Sequence, residues 1–350
     1  MTGNWNLIGH EWAVDMLKKH VVNGTTRHAY LFAGPPGLGR RTLALRFAQA
    51  LNCQTPIEAG VACGQCRDCR QIEAMQHADL NVIEPLIKAP DNSEKYILGP
   101  NGEKFIPSPN GVIRIFQIRE LQKTVNYRPY QSHYRILIFL RFQQANDEAA
   151  NALLKTLEEA PSYAVLILTA DNPEQLLPTI VSRCEVLRLR PLRIQEVQQA
   201  LEERGFEANQ SKWIAHISGG RFGYARRLIG SEALLVEREE RLNDLQSLMS
   251  ASRVQKFAYA DRLSKDKESM RQALLIWLSY WRDVMLRAAQ AGTPLVNVDR
   301  NLEIEDIASR MDLSSARLVV RGLENTLEKM DGNVNPRLLA EVLLLDLPRL

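Results

Sequence analysis

Four cysteines, Cys53, Cys63, Cys66 and Cys69, form C-x9-C-x2-C-x2-C. The last three are spaced so that turns can point their sulfurs at one centre. Four thiolates suit tetrahedral Zn²⁺, and a closed four-Cys site is structural because no position is left for water. The competing reading is a set of unlinked reduced thiols, and an Fe–S cluster has no other redox signal beside it. His77 offers itself as a replacement for one ligand, whereas Cys184 lies far away and reads as a buried thiol.

A second stretch, "GPPGLGRRT" from Gly34 to Thr42, has the outline of a phosphate-binding loop. Such loops cradle phosphates with backbone N–H groups and a helix N-terminus, reach the β and γ phosphates with a lysine, and hold Mg²⁺ through a Ser/Thr hydroxyl. Gly34, Gly37 and Gly39 keep the backbone part. Arg40 occupies the lysine position, where its planar fork does not replace an ammonium cleanly. Arg41 occupies the hydroxyl position and cannot ligate magnesium, and Thr42 comes one residue too late. ATPases of this type also need an Asp on Mg²⁺ and a carboxylate to activate water. Anchored on "EAANALLKTLEEA", those places fall at Leu140 and Arg141. With these parts missing, neither ATP hydrolysis nor firm nucleotide binding is expected. Two readings of the loop stay open: a turn that binds nothing, and a vestigial nucleotide pocket.

These residues need a scaffold, and the chain supplies its signals in order. A helix is expected from about 8 to 22, followed by an apolar strand, the glycine-rich turn and an amphipathic helix, the order of a P-loop unit. "LNVIEP", "YRILIFL" and "YAVLILTA" read as buried strands. "IFQIRELQKTV" has helical spacing, and Asn146 reads as the N-cap of "DEAANALLKTLEEA". Strands alternating with helices imply a parallel sheet covered on both faces. The stretch 87–111 is a polar excursion in which Asn101-Gly102 signals a hairpin. After "LRLRPL" the pattern is almost wholly helical.

The bulk properties set bounds on function. With 350 residues, 45% hydrophobic and 24% charged, the chain is long enough for two or three domains. A net charge of +3 permits nucleic-acid contact without arguing for it. No apolar stretch approaches the length of a membrane span, and the N-terminus lacks signal-peptide character, so a cytoplasmic protein with no membrane partner is expected. Clustered cysteines in a reducing compartment favour a metal over disulfides.

Taken together, "HAYLFAGPPGLGRRTLA", the cysteine module, "QIRELQKTVNYRPYQSHYRILIF", "ANALLKTLEEAP" and "PEQLLPTIVSRC" resemble the δ′ (delta-prime) family of bacterial DNA polymerase III clamp-loader subunits, AAA+ proteins related to γ/τ. The resemblance covers most of residues 8–190. It implies that the tripeptide Ser182, Arg183 and Cys184 carries an arginine finger, Arg183, for ATP held by a neighbouring γ/τ subunit. ATPase members of the family also place a nucleotide-sensing arginine on a lid helix, and the matching position here is Gly223, with Arg221 and Arg226 displaced from it. The 87–111 excursion is longer than the family pattern, and Arg40 departs from δ′-like chains that keep the loop lysine.

The expected architecture is an α/β AAA+ P-loop domain over 1–190 with a zinc module at 53–69. An all-α lid over 191–235 and an all-α collar domain over 236–350 follow. The implied function is that of a non-hydrolysing subunit of the five-membered ring that loads the sliding clamp on primed DNA. Its partners would be γ/τ and δ, with the clamp and DNA met through the complex. One rival is a γ/τ-like ATPase motor with an atypical pocket. Another is a zinc-dependent DNA-binding module, against which the cysteines have only Arg67 and Arg70 nearby and no recognition-helix signature.

Overall fold

The structure is a computed structural model and describes residues 5–90, 93, 95–330 and 334–349. The chain divides into two compact units, one running to Leu192 and including Arg221–Gly223, the other comprising Arg193–Gly220 and Tyr224–Leu350.

The first unit contains α1 (Glu11–Val22), β1 (Ala29–Ala33), α2 (Arg40–Asn52), α3 (Arg67–Glu73), β2 (Leu80–Ile83), β3 (Leu86–Lys88), β4 (Ile97–Leu98) and β5 (Lys104–Pro107). It continues with α4 (Ile115–Val125), β6 (Arg135–Phe139), α5 (Asp147–Glu159), β7 (Ala164–Ala170), the single-turn α6 (Pro178–Val181) and β8 (Glu185–Arg188). Five strands form a parallel sheet in the order β2-β6-β7-β1-β8.

Side-chain alternation explains why both faces are covered. Tyr30, Phe32, Ile136, Ile138, Val165 and Ile167 point into one core with Ala13, Val14 and Leu17 of α1 and Leu43, Phe47 and Ala48 of α2. Leu31, Leu137, Phe139, Leu166 and Leu168 point into the other, with Ile118 and Leu121 of α4 and Leu153 and Leu157 of α5. Asn146 caps α5 as its type requires, its Oδ1 accepting from the Ala149 N–H at 3.0 Å.

The 87–111 excursion folds as a small antiparallel sheet, β3-β5-β4, with Ile97 opposite Phe105 and Leu98 opposite Lys104. The Asn101-Gly102 hairpin is realised, and Gly102 takes a φ of 75° in its turn. The pairing of β3 with β5 closes the excursion on its own base. Gly111 packs so tightly on Leu86 that an added Cβ would lie 2.5 Å from the Leu86 backbone.

The second unit is helical: α7 (Ile194–Glu202), α8 (Ala208–Ile217), α9 (Phe222–Ile229, of which the second unit holds the part from Tyr224 on), α10 (Glu232–Ser250), α11 (Arg253–Leu263), α12 (Lys267–Ala288), α13 (Asn301–Arg310), α14 (Leu313–Met330) and α15 (Pro336–Asp346). Trp277 and Trp281 of α12 are fully buried and organise a core shared by α10 to α15. Buried Asp283 accepts from the Val296 and Asn297 N–H groups, which ties α12 to the segment before α13. Among the described residues, no helix is long and apolar enough to cross a membrane.

Candidate functional site

The cysteine cluster is built by two helix ends. Cys53 is the C-cap of α2, and Cys66 is the N-cap of α3, its Sγ accepting from the Cys69 N–H. The connecting turn uses Gly60 and Gly64 at φ 76° and 71°. It is tied down by the Trp5 Nε1–H donating to Gly60 O at 2.9 Å, and by Gln49 Nε2 donating to Cys69 O at 2.8 Å. Asn52 fixes the end of α2 through paired bonds with the Tyr134 backbone.

Tetrahedral ligation at about 2.3 Å places neighbouring sulfurs about 3.8 Å apart. Cys63 Sγ lies 3.6 Å from Cys53 Sγ and 3.9 Å from Cys69 Sγ, and Cys53 and Cys66 are 4.0 Å apart. All four sulfurs lie within 4.8 Å of one another, so the cluster could hold a metal ion. Backbone N–H groups of Cys63, Gln65, Cys66 and Cys69 also donate to cluster sulfurs, which favours thiolates. The Thr55 hydroxyl, followed by the N–H groups of Cys66 and Gln65, draws Cys63 down to about 6. Burial pushes Cys53 and Cys69 the other way. A cation at the centre would ionise those buried thiols, because metal binding exchanges protons for metal.

His77 is not part of this cluster. Its Nδ1 accepts from the Asp79 N–H at 3.0 Å, and its Nε2 faces Gln131, Ser132 and the Asp68 carboxylate. The suggested ligand substitution is therefore replaced by a buried structural role. In the same region Asp79 accepts from the backbone N–H groups of Tyr130, Gln131 and Ser132.

The glycine-rich loop joins β1 to α2. Gly34, Gly37 and Gly39 have φ of 144°, 91° and 92°, conformations that glycine adopts without strain. At Gly34 a Cβ would also meet Leu189 O at 2.5 Å. The first turn of α2 carries no acid. Arg40 instead sits there, only 8% exposed, with Nη2 donating to Asp171 Oδ1 at 2.6 Å. Its Nη1 is buried with no hydrogen-bond partner among the described residues. Arg41 is exposed and reaches Met75 Sδ at 3.0 Å and Glu84 at 3.9 Å, while Thr42 faces outward.

Leu140 is buried just after β6. Arg141 follows at φ 55°, its N–H donating to Thr169 Oγ1 at 2.9 Å. Burial lowers the Arg141 pKa, the carboxylates of Glu84 and Asp171 oppose that shift, and Arg40 and Arg41 add to it. The C-terminal ends of the parallel strands thus gather three arginines and two carboxylates. Gly223 donates its N–H to Gly37 O at 2.8 Å, and a Cβ there would begin 2.9 Å from that oxygen.

Asp171 was not among the residues singled out by sequence, yet it is the fixed partner of Arg40. The available signal was its place just beyond a buried parallel strand, at the C-terminal ends of the strands where ligands of such folds sit. Replacing it by asparagine leaves a buried guanidinium without its counter-charge. Because Asp171 is about a third exposed, the expected loss is on the order of 1–2 kcal/mol in urea unfolding. An unchanged midpoint would contradict this.

The tripeptide 182–184 lies between α6 and β8. Ser182 Oγ donates to Thr179 O at 3.1 Å and closes the single turn. Cys184 packs against the core under β8, and burial pushes its thiol up to about 12. Between these anchors Arg183 projects at the surface, with Nη1 donating to Thr179 O at 2.8 Å and Nη2 to Glu158 Oε1 at 2.5 Å.

Comparison with known proteins gives consistent findings. Residues 9–193 match the family described as DNA polymerase III, delta subunit, and residues 233–348 match its C-terminal family. The DNA polymerase III subunit delta' of Pseudomonas aeruginosa is 33% identical over 266 residues, covering 74% of this chain and 72% of that protein. The delta' subunit of Bacillus subtilis is 26% identical over 322 residues, covering 91% and 90%. The tau subunit of Escherichia coli is 29% identical over 197 residues, 56% of this chain; the match spans 27% of the tau protein's length.

Proposed function

The chain belongs to the delta-prime family of DNA polymerase III subunits, related to gamma and tau, and on that basis we propose that it is a non-hydrolysing clamp-loader subunit that lends Arg183 to a neighbour's ATP. The observation that carries this reading is the Arg40–Asp171 pair. The cation that would meet a nucleotide's phosphates is already bound within the subunit. No carboxylate stands at Leu140 or Arg141 to hold magnesium or activate water, and the lid arginine position is a glycine packed on the loop. The loop is degenerate: it survives as the strand-to-helix turn the fold needs.

Arg183 offers a guanidinium near the surface, on a single turn closed by the Ser182 hydroxyl. An arginine supplied across a subunit boundary stabilises charge that develops on the transferring phosphoryl group in the transition state. The four cysteines fit Zn²⁺ in a structural role, holding the ends of α2 and α3 together. Residues 191–235 act as the lid and 236–350 as the collar through which the pentameric ring assembles. On α15, Leu338, Val342 and Leu345 are exposed at helical spacing along one face, and on α11, Val254 and Phe257 are exposed as well. Apolar area of that kind favours burial against a partner. The partners are gamma/tau-type and delta subunits, with the sliding clamp and primed DNA engaged through the complex, in the cytoplasm.

The test is to titrate the isolated chain with ATP and magnesium, then to add it to its gamma/tau and delta partners with clamp and primed DNA. Negligible binding and phosphate release by the chain alone are expected, together with clamp loading that depends on its addition. Tight magnesium-dependent ATP binding followed by phosphate release from the chain alone would assign it to the motor class instead.

A further inference from the structure

An arginine that serves a neighbour must rest somewhere before the neighbour's nucleotide arrives, and here both of its terminal nitrogens are engaged within the subunit. Nη1 donates to Thr179 O of its own turn, and Nη2 is held by the Glu158 carboxylate of α5. A guanidinium held at both ends cannot present its fork to a phosphate in the two-bond geometry that makes arginine effective.

The reason for this resting place lies in α5. That helix ends in Glu158-Glu159 and carries no basic residue in its last turn, so two carboxylates sit at the end where the backbone dipole already favours positive charge. Arg183 supplies the missing cation from 25 residues away in sequence. The pair is nonetheless easily exchanged, because the Arg183 side chain is 35% exposed and that of Glu158 is 51% exposed. Pairs of this exposure shift an equilibrium by no more than about fivefold. A polyphosphate carries more charge than one carboxylate and accepts both arms of the fork, so it takes the guanidinium over. A neighbouring site without nucleotide offers nothing in exchange.

We propose that Glu158 is a positioning residue that holds Arg183 withdrawn until a neighbour presents ATP. This inference rests on the finger reading of Arg183. Holding the arginine back reduces the fraction of subunits competent to engage, and the apparent efficiency falls by that fraction. Removing the Glu158 charge therefore produces a gain, whereas a merely structural contact would produce a loss or no change.

The experiment uses the full chain assembled with its gamma/tau and delta partners, clamp and primed DNA, and follows ATP hydrolysis. Glu158→Gln is expected to raise kcat/KM at the ATP site served by Arg183 about two- to fivefold, the gain shrinking as salt screens the pair in the parent protein. Glu158→Asp, which keeps the charge, returns the value towards the parent. Glu158→Gln combined with Arg183→Ala matches Arg183→Ala alone. An unchanged or lowered kcat/KM for Glu158→Gln, alongside a clear loss for Arg183→Ala, overturns the withdrawn state and leaves the finger standing. Parent-like turnover for Arg183→Ala overturns both.

Discussion

Replacing Arg183 by alanine is expected to remove nearly all turnover at the one ATP site it serves, while the variant subunit folds and assembles normally. An arginine donated in trans contributes roughly 10³–10⁵ in kcat, since it meets charge present only in the transition state. The structural consequence is small by comparison. Its contacts are one carbonyl and one half-exposed carboxylate, and an ion pair of that exposure contributes about 1 kcal/mol or less. Catalytic loss and stability are therefore separable at this position. The assembled complex should lose that site's whole share of ATP hydrolysis, and clamp loading should fall with it. Thermal melting of the isolated variant should stay close to that of the parent. Arg183→Lys is expected to recover little, because an ammonium keeps the charge without the planar fork. Unchanged hydrolysis and loading would remove Arg183 from the mechanism.

The second large effect concerns the cysteine cluster. Cys69→Ser, or chelation of the parent protein, is expected to release one equivalent of zinc and to open the turn between α2 and α3. Structural zinc contributes about 10–16 kcal/mol in isolated zinc-finger peptides, which sets an upper bound here. The segment is also held by Trp5, Gln49 and Asn52, so the loss should be local and leave the parallel sheet intact. Amide hydrogen exchange should accelerate across 53–73 and remain slow in β6 and β7. Metal content measured on the same sample provides the control. A Cys69→Ser protein with full metal content and unchanged exchange would show that the four sulfurs do not act as one centre.

Much of the first unit could be read from the sequence because its signals are local. Apolar runs such as "YRILIFL" and "YAVLILTA" are strands buried on both faces, and Asn146 caps its helix as its residue type suggests. The Cys-x2-Cys spacings predicted a converging cluster because one helix start can orient Cys66 and Cys69 together. What stayed hidden depends on distance along the chain. Arg40 and Asp171 are 131 residues apart, and nothing in either neighbourhood announces the pair. Glu158 stood in plain view within "KTLEEA", but its partner only becomes visible once α6 turns Arg183 back onto the end of α5. His77 carried a ligand-like residue type, and only the fold revealed that the Asp79 backbone and Gln131 claim its two nitrogens. In the second unit the helical period was legible, but the packing that buries Trp277 and Trp281 was not, because that core draws its residues from every helix between α10 and α15.

The proposed role has two halves, a loop without its own chemistry and an Arg183 that serves a neighbour's reaction. A structure of the assembled complex, determined with magnesium and a non-hydrolysable ATP analogue, examines both halves in a single map. The expected result is an empty Gly34–Thr42 loop with Arg40 still on Asp171, and the Arg183 guanidinium within hydrogen-bond distance of the γ-phosphate on the neighbouring subunit. Nucleotide with magnesium in this chain's own loop, or Arg183 remaining on Glu158 beside an occupied neighbour, would contradict it.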